Sequence, residues 1–206
     1  ALCPLFFWML YLWSKQIAMT DSLSRCSWCG SDPLYIQYHD EEWGRQIHDD
    51  FKLFEFLTLE TFQAGLSWIT ILRKRENFRK AFDGFDFNKI AIYDDHKIAE
   101  LLSDEGIIRN KQKIQAAVNN AKAFIRMRDE FGSFDAYIWG FLDNKPIINK
   151  WKSLIEIPSR TGLSDLISAD LKKRGFSFVG STVVYAHMQA TGMVNEHVVS
   201  CFCYNR

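Results

Sequence analysis

The stretch LKKRGFSFVGSTVVYAHMQATG, from Leu171 to Gly192, carries the strongest structural signal in the sequence. Apolar residues at helical spacing lie on both sides of a short segment bracketed by Gly175 and Gly180. The bracket encloses Phe176 and Val179. The stretch therefore predicts a helix, a short hairpin and a second helix.

The start of the second predicted helix is suited to binding an anion. We expect Ser181 or Thr182 to cap it, so that the hairpin presents backbone N–H groups at a helix N-terminus. Lys172 and Lys173 lie just before the hairpin and add positive charge. This combination favours a DNA phosphate as the ligand, although a plain helical turn is the simpler alternative. The residues that we predict to contact the DNA backbone are Gly175, Phe176, Val179, Gly180, Ser181, Lys172 and Lys173.

Helical spacing continues through the rest of the chain. There is no proline from Leu34 to Lys145, and strict alternation of apolar and polar residues is hard to find. Gly192 follows the last apolar repeat, where a helix C-cap is expected. The segments with helical spacing are Phe51–Leu59, Ile90–Leu102, Ile114–Ile125, Leu163–Arg174 and Thr182–Ala190. We predict an all-α protein.

Composition and charge narrow the classes of function. The 206 residues carry 25 basic and 25 acidic side chains, so affinity for nucleic acid must come from uneven placement of charge. Six bases and no acid lie between Arg109 and Arg128, whereas seven acids lie between Asp40 and Glu60. No G-x-G, H-E-x-x-H or G-x-S-x-G motif is present, which argues against a Rossmann or Walker phosphate loop and against common hydrolase sites.

The first eighteen residues differ from the rest. The apolar run from Leu2 to Trp13 is shorter than the ~20 residues that a membrane helix needs. We interpret residues 1–18 as an upstream read-through or an appendage outside the fold, with a degenerate signal peptide as the alternative, and residues 19–206 as one helical domain. That domain has no Asn-x-Ser/Thr site and its cysteines lie in two close pairs beside histidines, which predicts a cytoplasmic protein.

Soft metal ligands cluster near both ends of the domain. His197 and Cys201 stand at i and i+4, on one face of any helix, and Cys26 and Cys29 form a C-x-x-C pair followed by His39. Either Cys26 with His39 or Cys26 with Cys29 can join His197 and Cys201 around a tetrahedral zinc ion. Buried thiols and a core histidine are the alternative to a metal site. A zinc ion here would tie the two ends of the domain together.

Aromatic residues and one carboxylate crowd the N-terminal third of the chain. Trp28, Tyr38, Trp43 and Trp68 are candidates for a pocket that stacks a base. Glu60 lies in the apolar segment LTLETFQAGLSW, where a carboxylate can accept hydrogen bonds from an exocyclic amine. The alternative is a set of core aromatic residues with a surface glutamate on an amphipathic helix.

From Arg25 to Tyr204 the chain resembles the type I 3-methyladenine DNA glycosylases of bacteria, in the helix-hairpin-helix superfamily. The blocks that carry the resemblance are DPLYIQYHDEEWG, QAGLSWITILRKRENFRKAF, GIIRNKQKIQA, KKRGFSFVGSTVVYAHMQATG and VNEHVVSCFCY. These blocks are long and rare, so they are more specific than any short motif above. The resemblance implies a helix-hairpin-helix glycosylase fold and excision of 3-methyladenine from alkylated double-stranded DNA.

The resemblance also implies roles for the candidate residues. It implies one structural zinc ion held by Cys26, His39, His197 and Cys201, with Cys29 outside the set. It implies that Glu60 is the catalytic carboxylate that recognises the base. The residues that it places around the extruded base are Trp28, Tyr38, Trp43 and Trp68.

Two departures from the wider superfamily predict a monofunctional enzyme. Many of its members carry a catalytic Asp after the second helix, where this chain has Asn195, and bifunctional members carry a Schiff-base Lys where it has Thr182. A base methylated at N3 is cationic and leaves readily, so recognition can supply most of the catalysis. We predict a monomer. The alternative to a glycosylase is a zinc-stabilised helical DNA-binding module without catalysis.

Overall fold

Helices dominate the computed structural model, which describes residues 23–206. The all-α prediction is therefore confirmed for this part of the chain. The interpretation of residues 1–18 lies outside the described residues, and the domain boundary at residue 19 stays a prediction. No helix within residues 23–206 is long and apolar enough to cross a membrane.

The helices follow one another with short connections. The α-helices are α1 (Pro33–Glu41), α2 (Asp50–Gln63), α3 (Trp68–Ala81), α4 (Phe87–Ile90), α5 (Asp95–Ser103), α6 (Lys111–Phe131), α7 (Phe134–Gly140), α8 (Gly162–Lys173) and α9 (Ser181–Ala190). Single turns of 3-10 helix form at Ser27–Cys29, Asp83–Phe85 and Leu154–Glu156. Two strands, β1 (Ile147–Ile148) and β2 (Val194–Asn195), pair in parallel.

Helix α2 lies at the centre of the fold. The side chain of Asp49 caps its start by accepting a hydrogen bond from the N–H of Lys52 at 2.9 Å. Every residue from Leu53 to Phe62 is buried, and α3, α6, α7 and α9 pack around the helix. A helix that is buried on all sides must pair its polar side chains internally or use them for a ligand.

Helix α6 is the longest helix among the described residues, and two of its basic residues bind other parts of the protein. The Nζ of Lys113 donates to the carbonyls of Phe62 and Ala64 at 2.8 and 2.5 Å, which caps the C-terminal end of α2. Arg128 binds Asp50 at 2.6 Å. The basic surface expected between Arg109 and Arg128 is therefore smaller than the sequence suggests.

The chain makes its closest backbone approach just after α9. Thr191 is the C-cap, and Gly192 follows with φ +70, a left-handed conformation that favours glycine. A Cβ at Gly192 would lie 2.4 Å from the carbonyl carbon of Arg45. The carbonyl of Thr191 accepts a hydrogen bond from the N–H of Ile47 at 3.1 Å, which holds the two segments together.

We expect Gly192→Ala to lower the free energy of unfolding by roughly 2–5 kcal/mol, the sum of left-handed strain and overpacking. Gly132→Ala is the matched control, because Gly132 ends α6 at φ +84 with no atom near the added Cβ. The control should lose only the strain contribution, about 1–2 kcal/mol. Urea unfolding of both variants measures the difference, and equal losses would contradict the close-approach argument.

Candidate functional site

A cavity of about 310 Å³ opens beside α2. It is lined by Trp28, Tyr35, Tyr38, Trp43, Glu60, Gln63, Trp68, Leu154, Ile157, Ala186 and Gln189. The structure thus brings together all five residues that the sequence offered for a base pocket, although their roles stay predictions. The volume lies at the lower end of the range for small-molecule sites, ~300–1,000 Å³. We call this cavity the base pocket.

The walls of the base pocket are mostly aromatic. The ring centroid of Trp28 lies 4.9 Å from those of Trp43 and Tyr35, and the rings of Tyr38 and Trp68 are 5.4 Å apart. The indole N–H groups of Trp28 and Trp68 are buried and have no hydrogen-bond partner among the described residues. Aromatic faces together with unused donors suit a flat, polar ring as the ligand.

Among the residues that the structure describes, Glu60 is the only acidic one that lines the base pocket. It is 4% exposed and makes no hydrogen bond or ion pair with any residue in the described range 23–206. Burial raises the pKa of this carboxyl to about 8. The alternative interpretation of Glu60 as a surface residue of an amphipathic helix is therefore wrong. Strongly shifted carboxyl groups in a cleft are typical of functional sites.

Glu55, one and a half turns earlier on α2, shows the contrasting case. It is also 4% exposed, but Lys52, Arg75 and Arg79 donate to its two oxygens. Burial pushes the pKa of Glu55 upward, yet the charges and hydrogen bonds of these three residues lower it below its usual value. Two carboxyls on one buried helix thus differ only in whether the protein supplies partners.

Several lining residues were not predicted. Tyr35 precedes Tyr38 by three positions, and Gln63 follows Glu60 by three, so helical spacing could have placed each on the same face as its neighbour. Leu154 and Ile157 come from a 3-10 turn and the residue after it, far away in sequence. No local pattern marks those two residues, because only the tertiary fold brings their loop to the pocket.

A second feature is a buried group of four candidate metal ligands. One ligand atom from each of Cys26, His39, His197 and Cys201 lies within 4.8 Å of the others. The Sγ of Cys201 is 3.4 Å from Nε2 of His39 and 3.5 Å from Nδ1 of His197, and Cys26 Sγ is 3.6 Å from the latter atom. Tetrahedral zinc, with bonds of about 2.3 Å to sulfur and about 2.0 Å to nitrogen, separates such atoms by about 3.6 Å. The donor set therefore fits this metal.

Outer hydrogen bonds orient the two histidines. Nδ1 of His39 lies 2.7 Å from Asp40, whose carboxylate also accepts two hydrogen bonds from Arg25. Nε2 of His197 lies 3.3 Å from the carbonyl of Trp43. Such partners are typical of ligating histidines because they fix the ring and its tautomer. Burial lowers the pKa of His197 to about 4, which keeps the imidazole in its neutral, ligating form.

The structure separates the other cysteines from this group. The thiol of Cys29 donates to the carbonyl of Cys26 at 3.1 Å and is not one of the four. Cys203 contributes its backbone N–H, which lies 3.4 Å from Cys201 Sγ. The cluster in the structure thus contains His39, and not Cys29, beside Cys26, His197 and Cys201.

The ligand group and the base pocket share a wall. The ring of Trp28 lies 5.2 Å from that of His39, and the ring of Trp43 lies 4.7 Å from that of His197. Both tryptophans face the base pocket on their other side. Whatever holds the four ligands in place therefore also positions this wall.

The hairpin between α8 and α9 forms as predicted, with its apolar residues turned inward. Phe176 and Val179 are buried, so only their backbones can reach a ligand. The N–H of Phe176 already donates to Leu171 at 3.0 Å. Asn120, a buried residue of α6, holds the hairpin by exchanging two hydrogen bonds with the backbone of Ser177, at 2.8 and 3.0 Å.

The predicted cap of α9 is wrong, and the difference matters for anion binding. Gly180 occupies the N-cap position and supplies no side-chain bond, while the hydroxyl of Ser181 pairs with that of Ser164 at 2.8 Å. The N–H groups of Ser181, Thr182 and Val183 therefore have no partner among the described residues. Unused donors at a helix start attract an anion.

A cleft of about 390 Å³ joins the base pocket to the start of α9. Its lining residues are Gln63, Ala64, Gly65, Leu66, Pro158, Ser159, Thr182, Val183, Tyr185, Ala186 and Gln189. Lys172 and Lys173, which precede the hairpin, are exposed. The pocket, the cleft and the hairpin together suit a ligand with a flat ring at one end and a phosphate at the other.

Known sequences resemble the chain over most of its length. The family model described as methyladenine glycosylase matches residues 28–204. DNA-3-methyladenine glycosylase 1 of Escherichia coli (strain K12) is 49% identical over 182 residues, which cover 88% of this chain and 97% of that protein. DNA-3-methyladenine glycosylase of Haemophilus influenzae is 46% identical over 180 residues, covering 87% and 97%.

Solved structures agree with this similarity. A crystal structure of 3-methyladenine DNA glycosylase I (TAG) matches with a TM-score of 0.85 and 49% identity, covering 87% of this chain and 99% of that one. The Staphylococcus aureus enzyme, solved to explain 3-methyladenine recognition, matches with a TM-score of 0.85 and 31% identity, covering 88% and 97%. The predicted glycosylase fold is confirmed, and the chain belongs to the methyladenine glycosylase family.

Proposed function

We propose that this chain is a monofunctional DNA glycosylase that excises 3-methyladenine from alkylated double-stranded DNA. Membership of the family supports the activity. The observation that carries the mechanism is the buried, unpartnered carboxyl of Glu60 in an aromatic pocket. A carboxyl kept in such a place destabilises the fold, so its use for a ligand explains why it is there.

The substrate reaches the pocket by leaving the duplex. A base inside the stack cannot enter a cavity lined by Trp28 and Glu60, so its nucleotide must rotate out, which costs a few kcal/mol. The free N–H groups at the start of α9 bind a backbone phosphate, and Lys172 and Lys173 add attraction that salt weakens. The rigid hairpin thus fixes the strand while the lesion turns toward the pocket.

Charge distinguishes the lesion from normal adenine. Methylation at N3 makes the base cationic, and a cation against an aromatic face gains about 0.5–2 kcal/mol. Glu60 accepts a hydrogen bond from the exocyclic amine and attracts the positive ring, by about 4 kcal/mol at 4 Å and an effective dielectric of 20. The same cation lowers the pKa of Glu60 and so favours the ionised carboxylate when the lesion is bound.

The chemistry needs little further help from the protein. When the C1′–N9 bond breaks, its electron pair moves to the purine, which leaves as a neutral base without a general acid. Thr182 lines the cleft where bifunctional enzymes carry a lysine, so no Schiff base forms there. Asn195 is occupied by hydrogen bonds to Tyr204 and His197 at 2.8 and 3.1 Å. Both facts support base release without a lyase step.

We infer that Cys26, His39, His197 and Cys201 hold one zinc ion. A zinc ion held by these four residues would be a structural one, because no position would remain for water or substrate. It would link the two ends of the domain. A monomer and a cytoplasmic location stay predictions from the sequence.

We expect the wild-type protein to free 3-methyladenine from methylated DNA, and Glu60→Gln to lower kcat/KM about 10–100-fold because the charge is lost while the shape is kept. Chromatography of the released purines measures both. Glu76→Gln is the control, because Glu76 is an exposed residue of α3. A DNA-binding module without catalysis would free no purine and would not respond to the change at Glu60.

The charge of Glu60 also predicts a pH effect on stability. Burial raises the pKa of Glu60 to about 8, whereas an unfolded chain titrates near ~4.3. The folded protein therefore keeps this proton to a higher pH than the unfolded chain does. The contribution of Glu60 to the free energy of unfolding is greatest below about pH 4 and falls by ~1.4 kcal/mol per pH unit as pH rises toward about 8. Glu60→Gln removes this loss, so the variant should gain roughly 3 kcal/mol over wild type between about pH 5 and about pH 8. Urea unfolding at both pH values tests this, and a constant difference would exclude it.

Single substitutions of cysteine test whether His39 or Cys29 joins Cys26 as a metal ligand. We expect Cys201→Ser to lose the metal, about one zinc per wild-type chain, and to unfold at a lower temperature. Cys29→Ser should keep the metal, because its hydroxyl can still donate to the carbonyl of Cys26. Metal analysis and thermal unfolding of the purified proteins measure the difference. Loss of zinc from the Cys29 variant would contradict the assignment.

A further inference from the structure

Two glutamines stand where the base pocket meets the cleft. Gln63, Ala186 and Gln189 are the residues that line both cavities. Gln63 ends α2, and Gln189 lies one turn after Tyr185 on α9. Because Ala186 is small, the two amides are the polar groups at this junction.

Neither amide side chain has a hydrogen-bond partner in the part of the chain that the structure describes. Both residues are half-buried. The other amides among the described residues that are buried or half-buried each have a partner: Asn120 bonds to Ser177, Asn149 donates to Glu196 at 2.6 Å, and Asn195 donates to Tyr204 at 2.8 Å. A half-buried amide without a partner is therefore exceptional here and points to a ligand or a bound water.

The proposed function places the reacting carbon at this junction, and the present inference depends on that function. With the purine in the base pocket and a phosphate at the start of α9, the sugar between them must cross the shared boundary. C1′ then lies beside Gln63 and Gln189. Glu60 lies deeper, in the base pocket alone, and does not line the cleft.

We propose that Gln63 and Gln189 are positioning residues that hold the attacking water. Their amide oxygens accept hydrogen bonds from the water and direct an oxygen lone pair toward C1′. The C1′–N9 bond breaks with its electrons going to the purine, and the C1′–O bond forms from the water lone pair. The surplus proton passes to solvent through the open cleft, because an amide does not keep it.

This arrangement suits an enzyme whose leaving group needs little assistance. The sugar becomes strongly electrophilic as the base departs, so a placed water reacts without a general base, although a carboxylate beside that water would speed the step further. No carboxylate, histidine or lysine lines the cleft within the described residues. The hydroxyls of Ser159 and Thr182 line the cleft but not the base pocket, and that of Tyr185 already donates to Glu196 at 2.6 Å.

Single-turnover kinetics with saturating methylated DNA test this proposal. We expect Gln63→Met and Gln189→Met each to slow release of 3-methyladenine about 5–20-fold, and the double variant to lose less than the product of the two. Affinity for an abasic-site duplex and for free 3-methyladenine, the latter followed by tryptophan fluorescence, should stay within about twofold of wild type. Gln37→Met is the control, because Gln37 is exposed and its amide donates to Glu41 at 2.9 Å.

Gln189→Glu gives a second test that a merely structural role would not pass. It keeps the shape and the acceptor oxygen and adds a group that can take the proton from water. We expect its rate to stay within about threefold of wild type at low pH and to rise relative to wild type as the new carboxyl ionises. Thermal unfolding of each variant reports whether it is folded.

The outcomes separate this inference from the proposed function. If wild type frees no 3-methyladenine, the function itself fails. If wild type is active and folded methionine variants are equally fast, the positioning role alone is wrong. A loss of duplex affinity at an unchanged single-turnover rate would overturn it too, because the amides would then bind the sugar-phosphate backbone. A pH profile of Gln189→Glu that matches wild type would likewise count against the bound water.

Discussion

The burial of Leu53–Phe62 in α2 constrains the residues around it. A charged side chain in this stretch must find a partner or a use, whereas an unpartnered hydroxyl, such as that of Thr58, costs the fold less. Glu55 has three cationic partners, and the hydroxyl of Thr61 donates to the carbonyl of Leu57 at 3.0 Å. Glu60 has none among the described residues. The base pocket is thus the place where the central helix leaves one charge to be matched by a ligand.

The opposite wall of the base pocket has a different origin. Trp28 and Trp43 lie outside the α-helices. Such connecting segments are more mobile than helices unless side-chain contacts hold them in place. Contacts of their rings with His39 and His197 tie them to the group of metal ligands. The cluster of Cys26, His39, His197 and Cys201 joins sequence-distant segments and so supports this wall, as helix packing supports the wall that carries Glu60. Both sides are fixed before a base arrives, which limits the entropy lost on binding.

Much of this could be predicted from the sequence, and the failures have physical reasons. Helical spacing predicted α6, α8 and α9, and long matching blocks predicted the family and the four Cys and His residues that the structure brings together. Spacing alone left Cys29 as a ligand, because a C-x-x-C pair does not show which thiol points inward. The cap at Ser181 was misplaced because Ser164, from another helix, competes for that hydroxyl. Leu154 and Ile157 were missed because their loop carries no periodic signal.

The placement of charged and neutral polar groups in the site follows from how much each group destabilises the fold when it is buried. A buried carboxylate is costly to the fold, and in the proposed mechanism the positive charge of the substrate compensates that of Glu60. At the sugar the positive charge is brief and a second buried carboxylate would raise the pKa of the first, making both harder to ionise. Neutral amides such as Gln63 and Gln189 offer acceptor oxygens without that penalty. A site built for a cationic lesion therefore concentrates its charge at the base and leaves polarity without charge at the bond that breaks.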